Sequence, residues 1–329
     1  MESSGQCIGK TTHSRDGVEF AVVPDREAQD SCIRHRYLWP VEIPEQVREV
    51  RTVAWCVGAF CHVCMVLTLL AVPRSELRRW VENPLRGAPC LAMFACLGAS
   101  AWWLTVTCAN NPGYLAPDES RAQMPDEDHG EAEVVTTDGE IQVPLHWCRT
   151  CCILQPRRTK HCKECGFCVR TFDHHCFWIG GCVGERNHRH FLVMLTVWTA
   201  LLLWQWYLIR TCLNRKPVNP LTWISRNWWV IVNIATNLVH LILIGGLWIY
   251  HLFLVATGQT TWEHLCRENI DYLQPFPQAV HPFSFGVRQN FVRFFSRSRK
   301  TPPQEWSFNW RRGQPIPFRF LENKYWSFM

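Results

Sequence analysis

"CRTCCILQPRRTKHCKECGFCVRTFDHHCFWIGGC", residues 148–182, holds eight cysteines and three histidines. Their order is Cys148-x2-Cys151-x9-His161-Cys162-x2-Cys165-x2-Cys168, then Asp173-His174-His175-Cys176-x5-Cys182. A CxxC step lets two thiolates reach one tetrahedral ion at about 2.3 Å. The repeated step predicts two zinc ions, which together take about eight ligands. Cys152, next to Cys151, reads as a structural spare, and ten candidates remain for those places. An extended backbone over 173–177 sends alternate side chains to opposite sides. If His175 faces the metal, His174 and Cys176 face away from it together. On that reading His175 and Cys182 belong to metal, and His174 with Cys176 forms a base–nucleophile pair that Asp173 can orient. Spacing alone leaves open a third metal or a structural role for these three residues.

Outward from this stretch the chain changes character. No Lys, Arg, Asp or Glu occurs from Thr52 to Val72, Ala88 to Ala109, Phe191 to Ile209 or Trp228 to Thr257. A bilayer core about 30 Å thick takes about 20 apolar residues in a helix, so the pattern predicts four transmembrane helices, two before the cysteine-rich segment and two after. Trp80, Trp204, Trp206, Trp223, Trp228 and Trp229 lie near the ends of these runs, where an aromatic belt sits. The polar first 50 residues show no secretory signal, and the start MESSGQ lacks the glycine after the initiator methionine that myristoylation needs.

Lys and Arg number 7 in residues 1–51, 9 in 110–190 and 10 in 258–329, against 4 in 73–87 and 3 in 211–227. That bias places both termini and the central loop on the cytosolic side. Eight thiols in one loop also fit a reducing compartment, and the net charge of +6 suits a face opposed to anionic lipid. Residues 118–140 carry nine acidic residues and few apolar ones, a solvated spacer by composition. The expected organisation is an N-terminal cytosolic segment at 1–51, helices 1 and 2 within 52–109, and a largely disordered linker at 110–143. A cysteine-rich zinc domain at 144–190, helices 3 and 4 within 191–257, and a C-terminal cytosolic segment at 258–329 follow. The fold class is all-α and polytopic, with that domain inserted between helices 2 and 3. No long helix separates the ligands to read a nucleic-acid groove, so no nucleic-acid partner is expected.

The Asp173–Cys176 core with its cysteine spacing resembles the DHHC protein S-acyltransferase (palmitoyltransferase) family. So do "NPG" at 111–113, where the family usually has Asp-Pro-Gly, "TTWE" at 260–263, and "HPFSFGVRQN" at 281–290. "LQPRRTKHC" and "CVGERNHRHF" add to the likeness, which covers roughly residues 50–295. The resemblance implies one zinc site of Cys148, Cys151, His161 and Cys168, and another of Cys162, Cys165, His175 and Cys182. Both are structural, because protein fills all four positions. It implies Cys176 as the acylated nucleophile, His174 as its base and Asp173 as the partner of His174. Thr261 is expected near Asp173, and Asn290 as a brace of the C-terminal segment. Phe177, Gly181 and Asn111 depart from the family's usual proline, asparagine and aspartate; none of them is an implied ligand or triad member.

The implied reaction takes a long-chain fatty acyl group from acyl-CoA onto Cys176 and then onto cysteines of membrane-associated proteins at the cytosolic face. A sixteen-carbon chain prefers hydrocarbon by roughly 12 kcal/mol, which favours a site at the cytosolic helix ends. Arg149, Arg158, Lys160 and Arg186 are the candidates to grip CoA phosphates. Asn233, Asn237, His240 and His251 are costly against lipid and are expected to face the bundle as packing residues. Family members of this compact type suggest Golgi or endoplasmic reticulum membrane. The rival reading is a membrane-anchored zinc scaffold without acyl transfer.

Overall fold

The computed structural model describes residues 45–72, 75–115, 135–137, 140–142, 146–151, 153–213, 219–274, 276 and 281–296. The N-terminal segment to residue 44, the acidic stretch 116–134, Cys152 and the tail beyond 296 lie outside the described residues. Helix α1 is Glu45–Ala71, α2 is Glu76–Glu82 and α3 is Pro84–Cys108. Eight short strands follow: β1 Val135–Thr137, β2 Glu140–Gln142, β3 His146–Cys148, β4 Ile153–Gln155, β5 Lys160–Cys162, β6 Phe167–Val169, β7 His174–Cys176 and β8 Gly181–Val183. Then come α4 His188–Thr211, α5 Pro220–Thr257, the single-turn α6 Thr261–Leu265 and α7 Val287–Ser296.

Four of these helices (α1, α3, α4 and α5) are long and apolar enough to cross a membrane. The chain is therefore mostly helical, with its cysteine-rich cluster between the second and third of the four in sequence. Half of the apolar window of α4 is buried (50%), against 22% for α3 and for α5 and 13% for α1. So α4 is the central helix. Leu69 of α1, Phe94 and Ala101 of α3, Leu201, Leu208 and Ile209 of α4 and Val230 of α5 share one core around it. Outward residues such as Phe60, Ile242, Leu243 and Ile249 stay exposed, the pattern of side chains whose solvent is lipid. Asn233, Asn237 and His251 are buried in the bundle, as expected. Asn237 reaches Leu202 O and Gln205 Oε1, each at 3.4 Å, and Gln205 in turn meets His62 Nδ1 at 3.1 Å.

Helix α5 begins eight residues before the charge-free run that predicted it. Asn219 caps it, accepting from Thr222 N at 2.8 Å, and Pro220 occupies the first turn, where its missing N–H costs nothing. The exposed Arg226 had interrupted the run without interrupting the helix. At its other end Gly258 takes φ +73°, and a Cβ there would stand 2.9 Å from Phe283 O, so the left-handed cap and the close approach both require glycine. The loop at 73–87 contains α2, capped by Ser75 Oγ accepting from Arg78 N at 3.0 Å. Within the linker, β1 and β2 pair as a small antiparallel hairpin, local order that acidic composition did not announce.

The remaining strands form three further antiparallel hairpins, β3–β4, β5–β6 and β7–β8. They are held to the helices by the segment after α3. Asn111 Oδ1 accepts from Gly113 N at 2.8 Å and Tyr114 N at 2.9 Å. Gly113 O and Pro112 O then accept from Arg170 N and Arg186 N, each at 3.0 Å. The Asn187 side chain ties the same junction together, donating to Cys108 O at 2.7 Å and Cys182 O at 2.9 Å while accepting from Gly184 N at 2.8 Å.

Candidate functional site

The hairpins place the cysteines by simple alternation. In β5–β6, His161 lies opposite Cys168, and Cys162 opposite Phe167. Neighbours in a strand point to opposite faces, so His161 with Cys168 serves one cluster and Cys162 the other. Cys148, Cys151, His161 and Cys168 bring their donor atoms within 4.8 Å of one another, and so do Cys162, Cys165, His175 and Cys182. Around a tetrahedral zinc with bonds of about 2.3 Å to sulfur and 2.0–2.1 Å to nitrogen, an S···N edge is about 3.6 Å. In the second cluster His175 Nδ1 lies 3.5, 3.4 and 3.7 Å from the sulfurs of Cys162, Cys165 and Cys182. Cys165 and Cys182 are 3.5 Å apart, too far for a disulfide and close to the edge of such a tetrahedron. In the first cluster His161 Nδ1 is 3.2 Å from Cys151 Sγ and 3.9 Å from Cys168 Sγ, and Gln155 Nε2 donates to Cys168 at 3.1 Å. Both donor sets therefore fit a tetrahedral ion, the chemistry that thiolate and imidazole offer zinc.

Strand β7 divides its three side chains as alternation requires. His175, paired with Cys182 across the hairpin, enters the second cluster. His174 turns the other way, its Nδ1 2.6 Å from Asp173 Oδ2, on the side of the strand that Cys176 shares. Asp173 is buried and held on every side. Its Oδ2 also accepts from Thr261 Oγ1 at 2.7 Å and its Oδ1 from Thr261 N at 2.9 Å. Its backbone N donates to Val183 O and its carbonyl accepts from Trp262 N. Burial pushes the Asp173 carboxyl up, but the neighbouring imidazoles and the bond from His174 hold it below the usual carboxylate range. Burial pulls His174 down, while its bond to Asp173 and the Cys176 sulfur push it up to about 10. Burial would raise the Cys176 thiol, and His174 lowers it below an ordinary thiol. The pair favours thiolate beside imidazolium. Cys176 packs with Ile179, Val183, Leu104 of α3 and Phe191, Met194 and Leu195 of α4, so the sulfur borders an apolar region among the helices.

The TTWE stretch has a separate physical task at each position. Thr260 and Glu263 form a reciprocal capping box on α6, and Thr261 holds Asp173. Glu263 also binds Arg158, Oε1 to Nε and Oε2 to Nη2, each at 2.6 Å. Arg158 is thereby corrected as a candidate for CoA phosphates: its guanidinium is buried, committed to Glu263 and Gly258 O, and stacked 4.2 Å above Phe283. Lys160 lies over the rings of Trp262 (4.9 Å) and Phe172 (5.3 Å), while Arg149 and Arg186 are exposed. Asn290 donates to Ala256 O and Ser284 Oγ and accepts from Phe285 N, the expected brace. Phe177 and Trp178 are exposed beside the thiol, and Trp178 O accepts from Trp55 Nε1 of α1 at 3.1 Å. Gly181 has no atom within 4 Å of a would-be Cβ, and Asn111 supplies the acceptor that an aspartate would. Sequence reasoning missed His188 and treated His251 as packing. Both stand beside Asp173, with His188 Nε2 3.6 Å from Asp173 Oδ1 and the His251 ring 5.8 Å from that of His174. The available signal for His251 was a neutral polar residue inside an apolar run; His188, set between Arg186 and Arg189, carried none.

The DHHC palmitoyltransferase family model matches residues 141–268. Palmitoyltransferase ZDHHC12 of Homo sapiens is 32% identical over 231 residues, 70% of this chain and 82% of that protein. A putative ZDHHC-type palmitoyltransferase 7 of Dictyostelium discoideum is 33% identical over 196 residues, 55% of this chain and 43% of that one. Protein S-acyltransferase 10 of Arabidopsis thaliana is 37% identical over 147 residues, 44% and 41% of the two chains. The chain thus spans most of the human relative and less than half of the other two. With four helices able to cross a membrane, two thiolate–imidazole clusters and an Asp-His-His-Cys strand between them, it belongs to the DHHC palmitoyltransferase family.

Proposed function

We propose that this chain is a protein S-palmitoyltransferase, moving a long-chain fatty acyl group from acyl-CoA to cysteines of membrane-associated proteins. The observation that carries the reading is the division of labour in β7. Each metal cluster has four donors without Cys176, which leaves that thiol to His174 and Asp173. Asp173 fixes the Nδ1 proton of His174, so the other ring nitrogen accepts the thiol proton. The Cys176 thiolate attacks the thioester carbonyl, a new C–S bond forms, and the bond to CoA breaks. CoA leaves as a thiol with the proton returned by His174. A substrate cysteine, deprotonated by the same imidazole, attacks the acyl-Cys176 thioester and restores the free thiol. Two transfers through one sulfur give ping-pong kinetics.

The apolar neighbours of Cys176 support an acyl tail lying among α3, α4 and α5. Two zinc ions, held by the two clusters, are structural and stabilise the hairpins that carry the site. Arg149, Lys160 and Arg186 remain the candidates to grip CoA phosphate. The site faces the cytosol, with both termini on that side, in Golgi or endoplasmic reticulum membrane; the distribution of Lys and Arg supports the orientation. The division of the chain at residues 51, 109, 143, 190 and 257 belongs to the same proposal.

The test is labelling of the purified chain with a fatty-acyl-CoA probe, followed by hydroxylamine. The parent should carry a hydroxylamine-sensitive label that passes to an added cysteine substrate, and Cys176→Ser should carry none while keeping its metal. A parent that never labels would leave a zinc scaffold. A Cys176→Ser protein that loses metal as Cys165→Ser does would place Cys176 among the ligands.

A further inference from the structure

Asp173 has a second imidazole face that the acyl-transfer chemistry does not use. On the side of Oδ1 lies His188, at the start of α4, with Nε2 3.6 Å from that oxygen and 3.2 Å from Nδ1 of His251 in α5. Both rings are buried, His251 completely. His251 meets Phe191 at 5.1 Å and His188 at 5.4 Å between centroids, and Phe191 meets His174 at 5.4 Å. The proton positions follow from the charges. A carboxylate beside His188 Nε2 requires an N–H there, since a bare ring nitrogen would face it lone pair to lone pair. His188 therefore donates, His251 Nδ1 accepts, and the His251 proton is left on Nε2. That Nε2 is buried and has no hydrogen-bond partner among the described residues. Packing does not account for it, because a phenylalanine would fill the same ring contacts without stranding an N–H.

We propose that His188 and His251 are positioning residues for Asp173. The His251 acceptor, 3.2 Å from Nε2, fixes the tautomer of His188, whose N–H edge faces Oδ1 at 3.6 Å while Thr261 and His174 supply the hydrogen bonds to the carboxylate. The carboxylate is then kept in the one rotation that aligns His174 with Cys176. Helices α4 and α5 contribute directly to the geometry of the triad, not only to the space below it. This inference rests on Cys176 being the acylated residue.

The test separates hydrogen-bonding atoms from ring shape. His251→Asn keeps an acceptor near Nδ1, whereas His251→Gln and His251→Phe do not. His188→Gln keeps a donor near Nε2, whereas His188→Asn and His188→Phe do not. Single-turnover acylation of the full chain by palmitoyl-CoA is measured across acyl-CoA concentration, with elemental analysis of each protein. His251→Asn and His188→Gln should stay within about threefold of the parent. The Phe variants and the mismatched amides should fall about 10- to 100-fold at saturating acyl-CoA, the scale of a small misplacement at a reacting centre. Half-saturation and metal content should be unchanged. Phe variants as fast as the parent overturn the proposal, as do Asn and Phe equally slow at 251, or a loss confined to half-saturation. The donor atoms of Asp173, His188 and His251 also lie within 4.8 Å of one another. A third ion in the parent that disappears in His251→Phe would make the pair metal ligands and overturn it too. Failure of the acyl-enzyme reading looks different, because the parent itself would then not acylate.

Discussion

Removing one partner of the Arg158–Glu263 pair should cost far more than removing both. The pair is buried, with 10% of the Arg158 side chain exposed and 2% of Glu263. Glu263 answers four donors: Nε and Nη2 of Arg158, Tyr272 OH at 3.0 Å and Thr260 N at 2.9 Å. Glu263→Gln keeps the shape and part of the capping box but strands a buried guanidinium, and Arg158→Met strands a buried carboxylate. Breaking such a pair costs about 3–5 kcal/mol, a large part of a domain stability of about 5–15 kcal/mol. If the two losses were independent the double variant would lose about 6–10 kcal/mol. Because it buries no lone charge, it should instead lose less than either single variant, a coupling of several kcal/mol in a double-mutant cycle. The midpoint of heat-induced loss of folded protein in detergent reports the order of the four proteins. Since Thr261 is carried by the same turn and holds Asp173, each single variant should also slow acyl-enzyme formation. A double variant at least as fragile as the sum of the singles would refute the reasoning, and so would single variants that melt with the parent.

The two adjacent histidines should part company: His175→Ala should drop the metal content from two ions to one and destabilise the hairpins, whereas His174→Ala should keep both ions. His174→Ala should slow acylation by about 10²–10⁴-fold near neutral pH. Without the imidazole, burial holds the thiol above the ordinary value of about 8.5, so the rate should climb about tenfold per pH unit through and above the neutral range, and the deficit should shrink as pH rises; a pH-independent deficit would argue against a general base. Gly181→Asn should leave folding and acylation unchanged, because open space surrounds the site, while Gly180→Ala should impair both, because φ is +57° and a Cβ would collide with the Arg51 side chain; thermal midpoints of the two proteins decide it. Asn111→Asp should be near neutral, whereas Asn111→Leu removes the acceptor of two backbone N–H groups and should cost about 1–3 kcal/mol, read from the same melting assay.

What the chain disclosed in advance was whatever depends on local spacing. Four charge-free runs became four long helices because charge is what lipid excludes, and the largest error came at an end, where the cap Asn219 outweighs hydropathy. The repeated CxxC step made two metal sites legible, but the sorting of their ligands into two sets came from the family resemblance. Alternation also separated His174 from His175 before any contact was known. The partners of Arg158 were not legible in that way. An arginine among other cations looks like a phosphate ligand until a glutamate 105 positions later is found to bind it.

The same limit explains why the histidines behind Asp173 escaped notice, and it shows how the site is built. Three segments converge on the hairpin that carries Asp173–Cys176: NPG after α3, the start of α4 at Asn187 and His188, and TTWE after α5. Each is anchored at the end of a helix able to cross the membrane, and each contributes a hydrogen bond between segments distant in the chain. Asp173 is the point where most of these meet: Thr261 comes from beyond α5, His188 from α4, and His251 from α5 stands behind His188. A carboxylate with so many obligatory donors has little freedom to rotate, and the order of its surroundings fixes which nitrogen of His174 is free. Helix packing is thereby converted into the protonation geometry of one thiol. A substitution deep in α5 at His251 should consequently be felt at Cys176 although it touches neither metal cluster.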